Sequence, residues 1–427
     1  MAEHTYDVIV LGGGPAGLAA AIEATKQGAR ALLVERERKL GGILKQCVHD
    51  GFGLLYFKER LTGPEYAQRF LDEFHEMNID FILNSFVTDV HKEEDGFTIL
   101  VQSAEGMRYY TAAALVLACG CRERTSRQVF IHGDRPAGIF TAGTAQYFTN
   151  IMGQMPTKRC VILGSGDIGM IMARRFTLEG ASVEGVYEIK DAPAGLARNV
   201  SQCLNDFGIP LHLSSTVTQV YGKKRVEAVE VAQVDADFNP LDETRRRVDC
   251  DALILSVGLL PENEIAEMLG VKLDGATKGP IVDQSLMTSV PGVFSCGNAL
   301  HVNDLVDWVT RSAQTAGRGA ASYSRANQHK MPQGDKIKIE YDKNDFLYVV
   351  PQYFDPEQTE PLLLYFRSRE DVRNKRVKLL FDGNEAIRKK YMRILPSEME
   401  VLSLKKEMTV SGKIQLQMED ANLDVRQ

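Results

Sequence analysis

The sequence predicts an α/β chain with two Rossmann-like βαβ modules and a small, mainly β domain at its C-terminal end. Three observations predict it. Two G-x-G-x-x-G fingerprints each stand between an apolar, β-branched strand and a helical stretch. Each is followed, about 20 residues on, by an acid closing a second apolar strand. After residue 330 the pattern changes to period-2 runs separated by turn signals.

The first module occupies residues 6–35. Residues 7–11 read as a buried parallel strand. They feed Gly12-Gly13-Gly14-Pro15-Ala16-Gly17; residues 19–26 then read as a helix ended by Gly28, and residues 31–34 as a strand closed by Glu35. Gly12 permits the tight turn, Gly14 lets backbone N–H groups approach a pyrophosphate, and Gly17 lets helix pack on strand. Pro15 and Ala16 open the helix, whose positive end faces the phosphates, while Glu35 can accept hydrogen bonds from a ribose diol. A glycine fingerprint alone also reads as a mere turn. Strand, helix and acid in register turn it into a dinucleotide site.

The unit then recurs. Residues 160–163 are a strand, Gly164-Ser165-Gly166-Asp167-Ile168-Gly169 is the turn, residues 170–179 continue as a helix, and residues 181–187 are a strand ending at Glu188. Two fingerprints imply two dinucleotides. Glu188, with no Arg immediately after it, favours an unphosphorylated ribose and so NAD over NADP. Two further apolar strands end in small-residue turns, residues 114–119 at Gly120 and residues 252–257 at Gly258. Residues 288–298 bring a short strand to Gly297-Asn298, ahead of a helix from about residue 304 to 326.

Composition narrows the field. The 427 residues are 44% hydrophobic and 25% charged, which excludes disordered, collagenous and coiled-coil chains. No run approaches the roughly 18 apolar residues of a membrane helix, and after MAEHTY the chain goes straight into its first strand with no secretory signal. A net charge of −7 argues against nucleic acid as a partner. Seven scattered cysteines make no disulfide framework, and no metal site is read. The expectation is a cytoplasmic protein without an integral membrane segment.

Over residues 6–326 the order of these motifs resembles the two-dinucleotide-binding-domain flavoproteins. The resemblance implies FAD on the first fingerprint and a nicotinamide cofactor on the second, in a domain inserted into the FAD domain. Expected boundaries are residues 1–152 and 256–330 for FAD, 153–255 for NAD(H), and 331–427 for the C-terminal domain. Gly41-Gly42, Gly120 and Gly258 join the cofactor-binding set. In such proteins an Asp after the second return holds the flavin ribityl chain; here Asn298 replaces it and can still hydrogen-bond a hydroxyl. The helix after Asn298 is implied to point its N-terminus toward the flavin pyrimidine.

Missing motifs narrow the class of flavoprotein. Disulfide reductases of this type carry paired thiols as C-x₄-C or C-x-x-C, whereas Cys47, Cys160, Cys203 and Cys250 stand apart, and Cys119 and Cys121 are awkward to bridge. The stretch 41–53, GGILKQCVHDGFG, is implied to run along the flavin ring, with Lys45, Gln46, Cys47, His49 and Asp50 as its polar residues. Cys47 as a peroxide-reducing thiol and His49 as a proton shuttle are the catalytic candidates, against a reading in which the loop only satisfies itself. This loop, with residues 298–308, is similar to the FAD/NAD oxidoreductases that accompany bacterial glycerol-3-phosphate dehydrogenases. It resembles more distantly subunits of opine and proline dehydrogenases and of hydrogen cyanide synthase. The implied partner is a second dehydrogenase flavoprotein subunit; the sequence leaves the oligomeric state open. With no Cys after Cys296, a C-terminal iron–sulfur cluster is not expected.

Beyond residue 330, strands are expected at 337–341, 346–350, 362–367, 377–381, 399–404 and 413–418. Arg388-Lys389-Lys390 reads as a solvated strand edge or as an anionic partner site. The functional expectation is hydride exchange between NAD(H) and flavin, with electrons relayed to or from a partner. The rivals are a self-contained NADH oxidase or peroxidase using Cys47, and a non-catalytic flavin- or NAD-binding assembly subunit.

Overall fold

The computed structural model describes residues 4–327, 336–358, 360–404 and 412–421. The chain forms two compact units, one of Met1–Cys121 with Pro261–Gln427, the other of Arg122–Leu260.

In the first unit, a parallel sheet is built from Asp80–Ile82, Ala31–Val34, Thr5–Leu11 and Gly106–Leu117, in that order. Val293–Ser295 also pairs in parallel with Gly106–Leu117, at Val293 opposite Leu115, so the chain returns to this sheet after the second unit. The buried runs of Val, Ile and Leu in these strands fit a sheet covered on both faces. On one face lie the helices Pro15–Lys26 and Val306–Asn327, which meet through small residues: a Cβ on Gly317 would fall 2.4 Å from the Ala20 carbonyl oxygen. Two features go beyond the sequence expectation. Phe86–Glu93, Gly96–Ser103 and Gly106–Leu117 form an antiparallel meander, of which the sequence marks only the end of the last strand. Gly63–Glu76 is a helix opened by a capping box between Thr62 and Glu65.

The C-terminal part is two sheets over one core. Five strands run in the order Tyr353–Phe354, Ile337–Tyr341, Ile414–Asp420, Val372–Phe381 and Asn384–Ile394; three more, Phe346–Val350, Leu362–Ser368 and Glu400–Leu404, form the second sheet. Phe346, Leu364, Phe366, Val377, Leu379, Phe381, Ile414 and Leu416 fill the space between them. The three-stranded sheet is apolar on both faces. Leu364 and Phe366 join the sandwich core, whereas Tyr348, Val350 and Tyr365 join the core around the two helices. The strand Asn384–Ile394 is an addition to the expected set; Arg388, Lys389 and Lys390 lie on it.

The second unit holds its own parallel sheet, Ile139–Thr141, Ala252–Leu255, Arg159–Leu163, Ser182–Tyr187 and Leu211–His212. An antiparallel sheet of His132–Gly133, Ser215–Tyr221, Ala228–Gln233 and Arg246–Asp249 completes it. This unit starts at Arg122 rather than at residue 153, and ends at Leu260 rather than 255. The reason is strand pairing: His132–Gly133 and Ile139–Thr141 hydrogen-bond to strands of this unit, and short strands with weak periodicity do not announce their sheet.

Candidate functional site

The first glycine turn is forced by its surroundings. Gly12 has φ +107°, and a Cβ there would stand 2.4 Å from the Ala118 carbonyl oxygen; one on Gly17 would stand 1.7 Å from the Gly12 carbonyl oxygen. Helix Pro15–Lys26 therefore starts directly on the strand end. Gly14 is its N-cap, with no side-chain cap, Pro15 inside the first turn and no acid there. The helix amides thus face outward without an internal acceptor, the arrangement that takes an anion. A Cβ added to Gly14 would meet only the Gly42 Cα, at 3.8 Å, and Gly41 N donates to the Gly13 carbonyl at 2.8 Å. Backbone therefore packs on backbone here: a Cβ on Gly42 would stand 2.7 Å from the Gly14 Cα.

Glu35 is 6% exposed and holds the turn from behind: it accepts Gly13 N at 2.5 Å and Glu37 N at 2.7 Å. Gly297 comes to the same helix start, since its Cβ would lie 2.8 Å from the Ala16 Cβ, and its N donates to Ser312 Oγ at 3.2 Å. Asn298 is half-buried beside it. Its Oδ1 accepts Asn303 N at 3.0 Å, and its Nδ2 donates to Cys121 Sγ at 3.5 Å. Gly120, at φ +74° with open space before it, follows Cys119, whose Cα abuts Gly12.

The loop after Gly42 is a 3₁₀ turn, Gly42–Gln46, wedged against helix Gly63–Glu76. Gly63 N donates to the Cys47 carbonyl at 2.9 Å, and a Cβ on Gly63 would be 2.7 Å from that of Cys47. Cys47 Sγ donates to the Ile43 carbonyl at 3.4 Å, and burial pushes its thiol up to about 12. Such a thiol stays protonated at neutral pH and is a poor nucleophile. His49 is half-buried, with Nδ1 3.2 Å from the Asp50 carbonyl oxygen and its ring 4.9 Å from that of Phe52. Sequence reasoning misses Asp307. It is 1% exposed and accepts Gly53 N at 3.3 Å, Leu55 N at 3.1 Å and Tyr56 N at 2.7 Å, pinning this loop to helix Val306–Asn327. An acid in the first turn of a long helix is the available signal.

The second turn repeats the plan. Gly164 has φ +92°, with a Cβ position 2.1 Å from the Ser256 carbonyl oxygen, and Gly169 lies 2.6 Å by the same measure from the Ser256 Cβ. Glu188, 4% exposed, accepts Ser165 N at 2.9 Å, Ser165 Oγ at 2.7 Å and Lys190 N at 3.1 Å. Ile168 is half-buried on helix Asp167–Leu178, and Gly258 has φ +102° with only Arg124 near. A Cβ on Gly166 would stand 2.9 Å from Ser256 Oγ and 3.4 Å from the Ser256 carbonyl oxygen, so this glycine too is pressed against the strand end. One feature differs. Asp167 sits in the first turn, and its Oδ1 accepts Leu196 N at 2.8 Å and Asn199 Nδ2 at 2.6 Å, while Ala194 N donates to Ser165 Oγ at 2.8 Å.

A family model described as pyridine nucleotide-disulphide oxidoreductase matches residues 6–322. The chain belongs to this family. Membership makes it a nucleotide-binding flavoprotein of the oxidoreductase class. Hydrogen cyanide synthase subunit HcnB of Pseudomonas protegens is 30% identical over 62% of this chain and 59% of its own length. An opine oxidase subunit of Agrobacterium tumefaciens is 24% identical over 74% of this chain and 64% of its own. The chain thus spans about three fifths of these two relatives. A ferredoxin–NADP reductase of Limosilactobacillus fermentum is 30% identical over 70% of this chain and 87% of its own. The thioredoxin reductase of T. acidophilum shares the fold, with a TM-score of 0.61 at 22% identity, over 75% of this chain and 99% of that one.

Despite the family's name, none of the seven cysteines is in a disulfide. Burial pushes Cys119 up to about 12, with the Glu262 charge adding to it, and it raises Cys160 and Cys296 as well. Among the described residues no helix is long and apolar enough to cross a membrane, and no His, Cys, Asp or Glu group is placed to hold a metal ion.

Proposed function

We propose that this chain exchanges a hydride between NAD(H) and FAD and relays the electrons to or from a second dehydrogenase subunit, with a glycerol-3-phosphate or amino-acid/opine dehydrogenase as the class of partner. The observation that carries the reading is the pair of glycine turns, each closed by a buried carboxylate on its own Rossmann-like sheet. Bound FAD and nicotinamide supply the redox chemistry; the protein binds and orients them. Residues 12–17 and 41–42 offer backbone to the FAD pyrophosphate, Glu35 the adenosine ribose, and Gly297-Asn298 the ribityl chain. Gly164, Gly166, Ile168, Gly169 and Glu188 hold NAD(H). Glu188 supports NAD over NADP, because a 2′-phosphate would meet its buried charge. The relatives named as enzyme subunits support the partner; the ferredoxin–NADP reductase makes NADPH the necessary second arm of any test.

The test is an anaerobic titration of the purified chain with NADH, then NADPH, then glycerol 3-phosphate, watching flavin absorbance near about 450 nm. Bleaching by NADH, with neither of the others effective, is the expected result. Bound flavin that neither nucleotide reduces would overturn the proposal. It would favour the assembly reading, whose one structural support is the segment 194–199 lying across the second turn. The peroxidase reading has the raised Cys47 thiol against it.

A further inference from the structure

The C-terminal sandwich lies beyond the matched residues 6–322. Its three-stranded sheet turns one face to its own core and the other to the flavin-side helices, and a buried polar cluster sits at that junction. Asp304, six residues after Asn298, receives Met399 N at 2.6 Å on one oxygen and the Arg367 guanidinium on the other. The two charged side chains, Arg367 and Asp304, are only 12% and 16% exposed. Arg367 also donates to Tyr348 Oη at 3.0 Å and to the Pro396 carbonyl at 3.3 Å, so the sandwich orients its fork. Immediately before Asp304, Asn303 Nδ2 donates to the His301 carbonyl at 2.9 Å and to Asn298 Oδ1 at 3.3 Å. Between them His301, 1% exposed, lies 5.1 Å from the Tyr365 ring and 5.9 Å from that of Tyr348. Burial, with the Arg367 charge beside it, holds the His301 imidazole at about 3, so it is a neutral wedge at working pH.

We propose that the sandwich is a clamp that sets the position of segment 297–304 at the flavin, with Arg367 and Asp304 as its positioning residues. This rests on the flavin reading above. The chain of contact runs from the sandwich through Arg367 to Asp304, through Asn303 to Asn298, and so to the residue assigned to the ribityl chain. A buried ion pair is a costly way to gain stability, since both charges lose water. Its directional fork instead fixes one geometry, which is what a cofactor-facing segment needs.

The experiment uses the full chain loaded with FAD and three variants: Arg367→Met, Arg367→Lys and Asp304→Asn. Flavin release rate, visible band shape and midpoint potential are read beside the melting temperature. Release is expected to be about 10-fold faster in Arg367→Met and Asp304→Asn, with an altered band shape and a shifted potential, and Arg367→Lys in between. Arg393→Met breaks an exposed pair with Asp371 in the same domain and is expected to leave all flavin properties unchanged. A lowered melting temperature with unaltered release, band shape and potential would overturn the clamp while leaving the flavin reading intact. A wild-type chain that takes up no FAD would sink that reading and the clamp with it.

Discussion

The two glycine turns are built alike and furnished differently. In both, the first glycine has a positive φ, the third is pressed against backbone or a neighbouring strand end, and a buried Glu receives the N–H of the residue after the first glycine. Their surroundings then diverge. The first helix starts with Gly14 and Pro15, has no acid in its first turn, and looks across at the bare backbone of Gly41 and Gly42. The second starts with Asp167, and segment 194–199 binds back onto both Ser165 and Asp167; even a Cβ on Gly195 would come within 2.9 Å of Asp167 N. A motif therefore dictates the turn, while residues far along the chain decide how openly a phosphate can reach it. On the proposal above, the first turn holds FAD and the second, onto which segment 194–199 binds back, takes the nicotinamide nucleotide.

Substitutions can break or sharpen that contrast. The largest effect is expected from Gly17→Ala, since its methyl would enter the Gly12 carbonyl: FAD binding should weaken at least about 100-fold in a titration of the apoprotein. Gly169→Ala meets a side-chain atom instead, at 2.6 Å, and should cost nucleotide affinity while FAD is kept. Equal loss of FAD in both would end the assignment of one cofactor to each turn. Next in size, Glu188→Gln removes the buried charge but keeps an acceptor for Ser165; the NADH-to-NADPH preference, measured as a ratio of Kd values, should fall about 10-fold. An unchanged ratio would place nucleotide choice elsewhere.

Smaller again is Asp167→Asn. Taking one negative charge from the first turn of the second helix should tighten NADH about threefold by fluorescence titration, in line with about 0.3–1 kcal/mol for a charge at a helix end. Weaker binding would mean that the hold on Leu196 and Asn199 prepares the site rather than gates it. The smallest effect is expected from Cys47→Ser. Burial raises this thiol to about 12, so it binds its proton throughout the neutral range, and NADH-driven bleaching should stay within about twofold from about pH 6 to 9. Peroxide-dependent NADH turnover lost in this variant would revive the thiol mechanism.

His301 adds a pH test outside both turns. Its native value of about 3 lies below the ordinary 6.5, so below pH 6.5 the unfolded chain binds the extra proton and stability falls as pH drops toward 3. The contribution is complete above that window. In His301→Gln this part of the acid slope should vanish from melting curves.

Much of the site is legible in the sequence because its signals are local. Residues 7–17 and 160–169 state strand, turn and helix within a dozen positions, and Glu35 and Glu188 follow at a spacing set by one βαβ unit. What is not legible depends on distant pairing. The meander ending in Gly106–Leu117, the early start of the second unit and the strand Asn384–Ile394 are settled by which strands find each other, and exposed strands dense in Lys and Arg carry little period-2 contrast. The sequence by itself determined the two turns, their acids and the β character of the C-terminal region, since glycine φ angles and hydrophobic periods are properties of short segments. Only the tertiary structure decided that segment 194–199 covers one turn and Gly41-Gly42 faces the other. It also decided that Asp307 receives the amides of Gly53, Leu55 and Tyr56, and that Arg367 meets Asp304. Those are close approaches between residues far apart in the chain, and a buried carboxylate or guanidinium is tolerated only where the fold brings it such a partner.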